Sequence, residues 1–323
     1  MSDTDFHVHL TVPDDAGGQR LDSTLAEMLP EYSRTTVQSW IQNGQVTVDG
    51  RAVKRKYPLS GNEVLSVRIS PREPLAVEPE QIELDVLWAD DQLIVLNKQA
   101  GLVVHPGAGN LRGTLLNGLL HHFPDLTHLP RGGIVHRLDK DTTGILVVSR
   151  TEHARQRLIS QLADRTMRRV YQAVCEGVMI AGSVIDKPIG RHPHDRLRMS
   201  VTSRGKPAVT RLSVIEKFRA HSLVEASLET GRTHQIRVHM NSIGHPLVGD
   251  GRYGSRGRLP QRAPEQLVRC LREFDRQALH AGGLSLTHPE TGRVQSWRAE
   301  PPEDFQKLVN RLRHDSRQFD SDP

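Results

Sequence analysis

The stretch His136-Arg137-Leu138-Asp139-Lys140-Asp141-Thr142-Thr143-Gly144 leads directly into the apolar run 145–148 (Ile-Leu-Val-Val), and it decides how the chain is interpreted. The apolar run predicts a buried β-strand, and the polar residues before it predict a loop at the entrance of that strand. Asp139 stands in this loop between Arg137 and Lys140. A carboxylate flanked by cations can stay charged and can meet an anionic ligand, which suits a nucleophile.

Length and charge limit what this carboxylate can act on. The chain has 323 residues, which favours two domains over a single core, and a formal net charge of +5 with 35 Arg against 8 Lys. Because guanidinium groups match phosphate oxygens in a bidentate fork, this balance favours a polyanionic partner such as nucleic acid. Cys175 and Cys270 lie far apart and predict neither a disulfide nor a cysteine-based zinc site.

Hydropathy predicts the cellular location of the protein. No run approaches the ~20 apolar residues of a membrane helix, and the N-terminus lacks the apolar core of a signal peptide. We therefore expect a cytoplasmic protein with no membrane partner, and we expect it to be a monomer.

The first seventy residues predict a small unit of two helices and a hairpin. Apolar residues at 21, 25, 28 and 29 share one helical face that ends before Pro30, and those at 37, 40 and 41 share another, on a helix that Ser33 can cap. Asp49-Gly50 predicts a tight turn between two short strands. The ordered pattern of these positions resembles the S4 RNA-binding domain, with a core at about residues 18–68. That resemblance implies docking onto structured RNA, and the basic residues that we expect to contact it are Arg34, Lys54, Arg55 and Lys56.

Three prolines between residues 70 and 80 predict a stiff linker. The expected domains are therefore residues 1–75 and residues 76–323. In the larger domain, strand-like runs start near residues 85, 93, 144, 169 and 222, and a helix begins at Thr114, which can cap it. The order of these elements lacks the strict alternation of a doubly wound sheet and predicts an α+β fold. The polar end of the chain, residues 311–323, is expected to fray.

Two familiar uses of a lone aspartate fit the chain poorly. Asp139-Lys140-Asp141-Thr142 is similar to the motif of aspartate-nucleophile phosphatases, but the segment 249–253 lacks the second carboxylate that would help to hold magnesium. A glycosidase needs a second acid facing the first, and Asp141 is expected to bond loop amides instead. Glycosidic chemistry without a second acid remains possible where the leaving group is a stabilised anion, such as uracil leaving through N1. An arginine could then pair with Asp139, and Arg232 is the candidate, in a segment where Thr233 can cap a following helix.

Two segments together carry a closer resemblance. Residues 133–144 and Thr230-Gly231-Arg232-Thr233-His234-Gln235-Ile236-Arg237-Val238-His239, combined with the S4-like unit, are similar to the RluA family of pseudouridine synthases. The similarity runs from about residue 18 to residue 300. It implies a catalytic domain built on a mixed, largely antiparallel sheet. Residues 101–110, 189–193 and 274–280 are most similar to members that modify uridines in 23S rRNA, which implies 23S rRNA or the assembling large ribosomal subunit as partner.

The resemblance also implies roles for individual residues. It makes Asp139 the catalytic aspartate, Arg232 its ion-pair partner, Tyr171 the ring that stacks on the target base and assists removal of its C5 proton, and Arg137 the side chain that fills the gap left by the flipped nucleotide. Whether Asp139 adds to C1′ or removes a proton from C2′ stays open at this point. An isomerisation of this kind requires no cofactor, and the chain has neither a P-loop nor a dinucleotide fingerprint.

The histidines raise the question of a metal. His234 and His239 are five residues apart, which does not place both on one helical face, and no cysteine or acid stands at supporting spacing. We therefore expect no metal site. Two other functions stay open: a noncatalytic RNA-binding factor in ribosome assembly, which would have no need of Asp139, Tyr171 and Arg232, and a magnesium-dependent phosphotransferase. The basic segment 251–276 is expected to follow RNA phosphates.

Overall fold

The computed structural model describes residues 6–29, 32, 34–69, 77–107, 109–195, 197–254 and 257–321. The chain divides into two compact units, residues 1–76 and 77–323. Most of the expected linker, residues 70–76, lies outside the described residues, and residues 77–84 form no helix or strand. The position of the domain boundary near residue 75 stays a prediction.

The N-terminal unit is a small sheet with two helices. Its elements are β1 (Phe6–Thr11), α1 (Leu21–Met28), α2 (Arg34–Gln42), β2 (Val46–Val48), β3 (Arg51–Ala52) and β4 (Val64–Ile69). The strands pair antiparallel in the order β1-β4-β2-β3. Asp49 and Gly50 adopt φ of 47° and 77°, the left-handed pair that a two-residue hairpin requires. The predicted helix pair and hairpin are confirmed, whereas the sequence reasoning missed β1 and β4. Ser33, the predicted cap of α2, lies outside the described residues.

A separate hydrophobic core holds this unit together. Leu21 and Leu25 from α1 and Val37 from α2 are fully buried against Val46 and Leu65 of the sheet. Their helical spacing of three to four residues places them on one face of each helix, which is the face that packs on the sheet. The helix pair therefore presents its opposite, polar face to solvent.

The larger unit contains a wide sheet and a separate two-stranded ribbon. Its strands are β5 (Asp85–Ala89), β6 (Leu93–Lys98), β7 (Thr143–Ser149), β8 (Arg168–Glu176), β9 (Ser183–Asp186), β10 (Ile189–Arg191), β11 (Met199–Val201), β12 (Val209–Lys217), β13 (His221–Leu228), β14 (Leu279–Thr287) and β15 (Val294–Arg298). Its helices are α3 (Leu115–His122), α4 (Glu152–Ala163), α5 (Gln235–Ser242), α6 (Glu265–Glu273) and α7 (Glu303–Ser321). Thr114 caps α3 through a reciprocal bond with Asn117, as its sequence position predicts.

The strand order in the wide sheet is β5-β6-β7-β14-β8-β13-β12-β9, with β15 beside β14 and β10-β11 forming a separate ribbon. Among the described strands, β7 and β14 pair parallel and all other neighbours pair antiparallel. The mixed, largely antiparallel sheet is therefore confirmed. All residues of β7 are buried, because β7 lies between two other strands and is covered on both faces.

The end of the chain differs from the expectation of a frayed tail. Helix α7 continues to Ser321, and Phe305, Leu308 and Leu312 are buried at helical spacing. Arg219 also pairs with the buried Asp315 at 2.8 Å. The segment is polar in overall composition, so the apolar residues at helical spacing were not recognised from the sequence. These apolar residues stabilise the helix. No helix in the described part of the chain is long and apolar enough to span a membrane.

Candidate active site

Asp139 lies in a tight turn immediately before β7. The Thr142 amide donates a hydrogen bond to the Asp139 carbonyl oxygen at 3.1 Å, which closes the turn. Leu138 is buried in the same hydrophobic cluster as Tyr171 from β8 and Ile236 from α5. The core thus fixes the three chain segments that carry the conspicuous polar residues. About 16% of the Asp139 side chain is exposed, so the carboxylate remains accessible.

Lys98, the last residue of β6, anchors the turn through its side chain. Its buried ammonium donates to the carbonyl oxygens of Gln99, Leu102 and Lys140 at 2.7, 2.9 and 2.8 Å. Burial lowers the pKa of Lys98 to about 7, although the charges of Asp141 and Asp139 oppose the shift. Lys98 therefore ties the backbone beside Asp139 to the sheet.

The segment before β14 anchors the other side of the turn. Arg276 donates to the Asp141 carbonyl oxygen at 3.2 Å, and Gln277 donates to the Thr142 hydroxyl at 3.0 Å. Arg276 is itself buried and paired with Asp304 at 2.6 Å, so its charge is balanced within the protein. These contacts hold the backbone of Asp141 and the side chain of Thr142, and the expected bonding of loop amides by Asp141 stays a prediction.

Thr143 and Gly144 begin β7, one residue before the strand start expected near residue 144. Thr143 shares a hydrogen bond of 2.9 Å with Nδ1 of His280 on the parallel neighbour β14. Gly144 has φ of 111°, and a Cβ at this position would lie 2.3 Å from the Ala281 carbonyl oxygen. A glycine is therefore required where β7 and β14 approach, directly after the turn at residues 139–142.

The partner of Asp139 is Arg237. Nη1 of Arg237 donates to Oδ2 of Asp139 at 2.9 Å, while its Nε and Nη2 bind both oxygens of Asp250 at 2.7 and 2.8 Å. Burial alone would lower the pKa of Arg237, but the two carboxylates raise it. The bidentate bond to Asp250 fixes the guanidinium plane and aims the remaining nitrogen at Asp139.

Asp250 is a fully buried carboxylate that completes this arrangement. Burial would raise its pKa, but hydrogen bonds from Arg237 and from the amides of Arg252 and Tyr253 lower it. Asp250 therefore stays charged and keeps Arg237 in place.

Arg232 does not form the predicted ion pair. Its Nε donates to the Pro207 carbonyl oxygen at 3.1 Å. The predicted cap is also wrong: His234, in the left-handed conformation with φ of 56°, precedes α5, and no side-chain cap from Thr233 is formed. Arg232 lies in the loop before α5, whereas Arg237 lies in the first turn of the helix and reaches Asp139.

His234 forms a second contact near the carboxylate. Its Nε2 lies 3.8 Å from Oδ1 of Asp139, and its Nδ1 lies 2.7 Å from the hydroxyl of Tyr253. The Tyr253 hydroxyl also accepts the Met199 amide at 2.8 Å, and it can donate its own proton to Nδ1 of His234. Burial lowers the pKa of His234, with a smaller opposing effect from Asp139. This lowering of the pKa favours the neutral ring, and Nε2 is the ring nitrogen that faces Asp139.

Tyr171 lies on β8, with 6% of the residue exposed. Burial raises the pKa of Tyr171 to about 12; Arg169 opposes this shift, and the charge of Asp139 adds to it. The phenol therefore keeps its proton at neutral pH, which supports a stacking role for the ring and argues against a phenolate base. Arg137 is exposed in the loop beside Asp139, and its charge contributes to lowering the pKa of His105.

The other predicted RNA contacts belong to the N-terminal unit. Lys54, Arg55 and Lys56 are exposed in the loop after β3, and the backbone of Arg55 accepts the Asp22 amide at the start of α1. Arg34 opens α2 and donates to the Ser23 hydroxyl at 2.8 Å. The structure thus gathers these residues at the N-terminal ends of the helix pair.

Asp22 organises this basic group. Its buried carboxylate accepts two hydrogen bonds from Arg20, at 2.9 and 2.8 Å, and one from Gln38 at 2.8 Å, with Arg34 at 3.5 Å. Burial would raise the pKa of Asp22, but these bonds and charges lower it. The carboxylate therefore orients two guanidinium groups that stay half-exposed.

The sequence reasoning missed Lys98, His234, Arg237, Asp250 and Tyr253. A signal for Arg237 was present: it lies among the apolar residues of α5, and a buried arginine requires a carboxylate. No comparable signal marked Lys98. In the described residues, no group of three or more His, Cys, Asp or Glu side chains is placed to hold a metal ion.

Comparisons with known proteins agree with the fold and the motifs. A family model described as RNA pseudouridylate synthase matches residues 92–242, and an S4 domain model matches residues 19–65. The chain is 48% identical over 310 residues to ribosomal large subunit pseudouridine synthase D of Yersinia pestis, covering 96% of this chain and 95% of the relative. It is also 48% identical over 308 residues to the protein of the same name from Pseudomonas aeruginosa, covering 95% and 96%.

The fold is also similar to that of a solved structure. Human RNA pseudouridylate synthase domain containing 4 superposes with a TM-score of 0.55 at 27% identity, covering 71% of this chain and 93% of the human chain. The matched region of the pseudouridylate synthase model includes the turn with Asp139, β8 with Tyr171 and α5 with Arg237. The chain therefore belongs to the RluA family of RNA pseudouridine synthases and carries an S4 domain at its N-terminus.

Proposed function

We propose that the protein isomerises uridines in the 23S rRNA of the large ribosomal subunit to pseudouridine, with Asp139 as the catalytic residue. The observation that carries this proposal is the ion pair between Asp139 and Arg237, which is itself fixed by Asp250. It places a guanidinium directly against an accessible carboxylate, the group that can act as a nucleophile or a base. The names of the relatives support the large subunit as the source of the substrate.

The reaction starts at the ribose of a uridine flipped out of its stack. The bond between N1 and C1′ breaks, and its electron pair leaves with uracil. Asp139 either forms a bond to C1′ through a carboxylate oxygen or removes a proton from C2′. Uracil then turns, and C5 forms a bond to C1′ while the carboxylate leaves C1′ or, on the other route, the proton returns to C2′. C5 then loses its proton and N1 takes one up, so the product is an isomer of the substrate.

The surrounding residues divide the remaining tasks. Tyr171 stacks on the flipped base and stays protonated, because burial raises its pKa to about 12. His234 directs its N–H to the carboxylate and steadies the second oxygen. Arg137, exposed beside the turn, enters the gap that the flipped nucleotide leaves. Arg34, Lys54, Arg55 and Lys56 of the S4 domain bind the RNA backbone.

The test is release of tritium from 23S rRNA transcripts labelled at C5 of uridine, measured for the protein and for Asp139→Asn. We expect release by the unaltered protein and a loss of at least about 1,000-fold in the variant, since asparagine is neither a nucleophile nor a base. The matched control is Asp141→Asn, because the contact that anchors Asp141 is made by its backbone.

Two outcomes contradict the proposal. Absence of release by the unaltered protein from both free rRNA and assembling subunits would leave a noncatalytic RNA-binding protein. Release that persists in Asp139→Asn would remove Asp139 from the mechanism.

We further propose that the protein acts as a monomer in the cytoplasm. Sedimentation of the protein alone and with rRNA tests whether it is a monomer.

A further inference from the structure

Arg237 and Arg169 are both buried in the second unit, and they differ in how their charges are balanced. Arg237 pairs with Asp139 and Asp250. Arg169, on β8, is 6% exposed, and within the described part of the chain no carboxylate forms an ion pair with it. Its Nε is buried without a hydrogen-bond partner among the described residues. Since buried charges are normally paired, an unbalanced guanidinium at this depth needs an explanation.

The neighbours of Arg169 are neutral. The Tyr171 phenol keeps its proton, because burial raises its pKa to about 12. Nε2 of His136 lies 3.1 Å from the Val147 amide and accepts its hydrogen, and burial together with the charge of Arg169 lowers the pKa of His136 to about 3. The His136 ring is therefore neutral and carries its proton on Nδ1, which is also buried without a partner among the described residues. Two N–H donors thus lie in this region without an acceptor.

Gly231 leaves room for the guanidinium. A Cβ at position 231 would lie 2.8 Å from Nη1 of Arg169, so any side chain there would displace it. The backbone of Gly231 does not have a positive φ, and close approach is therefore the reason for the glycine. The segment that contains Gly231 and α5 is also the segment that supplies Arg237.

Arg169 also lies within reach of a base stacked on Tyr171. The two residues are two positions apart on β8, which places their side chains on the same face of the sheet, about 7 Å apart along the strand. Tyr171 in turn is close enough to Asp139 for the carboxylate to contribute to its raised pKa. A uracil held between Asp139 and Tyr171 would therefore have Arg169 near its edge.

We propose that Arg169 is a second catalytic residue, whose unpaired guanidinium stabilises the negative charge that develops on uracil as its bond to the ribose breaks. The inference rests on the proposed function, because it assigns a task within that reaction. When the N1–C1′ bond breaks, its electron pair remains on uracil and spreads over N1, O2 and O4. The anion is neutralised by a cation already in place, and no proton needs to be supplied to the leaving group.

The experiment compares Arg169→Met, Arg169→Lys and Gly231→Ala with the unaltered protein in steady-state kinetics, which give kcat and KM. One 23S rRNA transcript carries uridine, and a second carries 5-fluorouridine, whose fluorine withdraws electrons and makes the uracil anion less basic. Because the fluorinated base cannot lose a C5 proton, its rearranged nucleoside is measured by mass spectrometry after digestion of the RNA, and the uridine product is measured in the same way. Arg168→Met is the matched control, since Arg168 is the exposed neighbour on the opposite face of β8.

For Arg169→Met on uridine we expect a loss of about 100- to 1,000-fold in kcat with little change in KM, the range found for removal of one preorganised group that stabilises developing charge. On 5-fluorouridine the loss should be markedly smaller, because that leaving group needs less help. Arg169→Lys should recover most of the activity, and Gly231→Ala should show a weaker loss with the same preference for the fluorinated substrate. Arg168→Met should leave both rates unchanged.

Equal losses on the two substrates, or a loss confined to KM, would overturn the proposal and make Arg169 a contact for an RNA phosphate or a structural residue. Gly231→Ala keeps the proposal testable if Arg169→Met fails to fold. This variant keeps the Arg169 charge and changes only the position of the guanidinium. Failure of the unaltered protein to rearrange either nucleoside would instead contradict the proposed function, so the two failures are distinguishable.

Discussion

Arg237 and Arg232 lie five positions apart in one segment, and their surroundings differ sharply. Arg237 is 8% exposed at its side chain and binds two carboxylates, whereas Arg232 contacts a backbone carbonyl at the edge of the loop. The left-handed His234 turns the chain between them and starts α5 only at Gln235. At the scale of single residues, the arginine on α5 pairs with Asp139, and the arginine in the loop before it does not.

Replacing Arg237 should damage both stability and activity. Arg237→Met leaves the fully buried Asp250 without its guanidinium, and breaking a buried ion pair on one side costs about 3–5 kcal/mol. The free energy of unfolding, measured with urea, and the rate of tritium release should both fall steeply. Arg232→Met should cause a much smaller loss of each. Similar losses of unfolding free energy and activity in the two variants would contradict the assignment of Arg237, rather than Arg232, as the partner of Asp139.

Lys98 should make stability depend on pH. Burial lowers its pKa in the folded protein to about 7, from 10.5 in the unfolded chain. Between these values the unfolded chain binds more protons, so the free energy of unfolding should rise with pH, by up to about 1.4 kcal/mol per pH unit. The difference in unfolding free energy between the protein and Lys98→Met, measured from pH 7.5 to 10, should carry this slope. Lys307→Met, at an exposed position, serves as control, and an equal slope for both variants would contradict the shift.

Strands β7 and β14 show how an element positions the site. They pair parallel only at their first residues, where Thr143 binds His280 and Gly144 meets the Ala281 backbone. The turn that carries Asp139 ends where this pairing begins. A change in the approach of the two strands would therefore move the carboxylate.

Gly144→Ala tests this coupling. A Cβ at Gly144 would lie 2.3 Å from the Ala281 carbonyl oxygen, and φ of 111° is unfavourable for alanine. The combined clash and strain should lower the unfolding free energy by more than about 2 kcal/mol and reduce tritium release. Gly292→Ala is the matched control: its φ is 66°, and nothing lies within 4 Å of the added Cβ. If both variants lose the same stability and activity, strand approach does not control the turn.

At the scale of the whole molecule, binding and chemistry are assigned to different units. The N-terminal unit has its own hydrophobic core, and the basic group around Asp22 belongs to it. The turn with Asp139 and its support from Lys98 and Arg237 belong to the second unit. Changes to the basic group should therefore alter affinity for RNA and leave the chemical step intact.

The triple variant Lys54→Gln, Arg55→Gln, Lys56→Gln tests this division. Each lost phosphate contact reduces the counterions released on binding, so the slope of log affinity for 23S rRNA against log salt should become shallower by about 2. The rate at saturating rRNA should not change. A lower rate at saturation with an unchanged salt slope would contradict the assignment of these residues to binding alone.

The sequence was most informative where the signal is local. The helix pair, the Asp49-Gly50 hairpin, the Thr114 cap and the strand after Asp139 follow from spacing, turn residues and apolar runs, and all were predicted. Strands β1, β4 and β14 and helix α7 were missed, because each owes its place to partners distant in the chain. Local propensity carries little information about such elements.

For the site, the sequence by itself determined the family, the presence of Asp139 at the entrance of a buried strand, and the position of Tyr171 on a strand. Motifs contiguous in the chain carry that information. Only the tertiary structure decided that Arg237 rather than Arg232 pairs with Asp139, that Lys98 and Asp250 support them, and that Arg169 is left without a carboxylate. The physical reason is that charge balance in a buried site depends on distances between side chains, and those distances are set by packing between segments far apart in the chain.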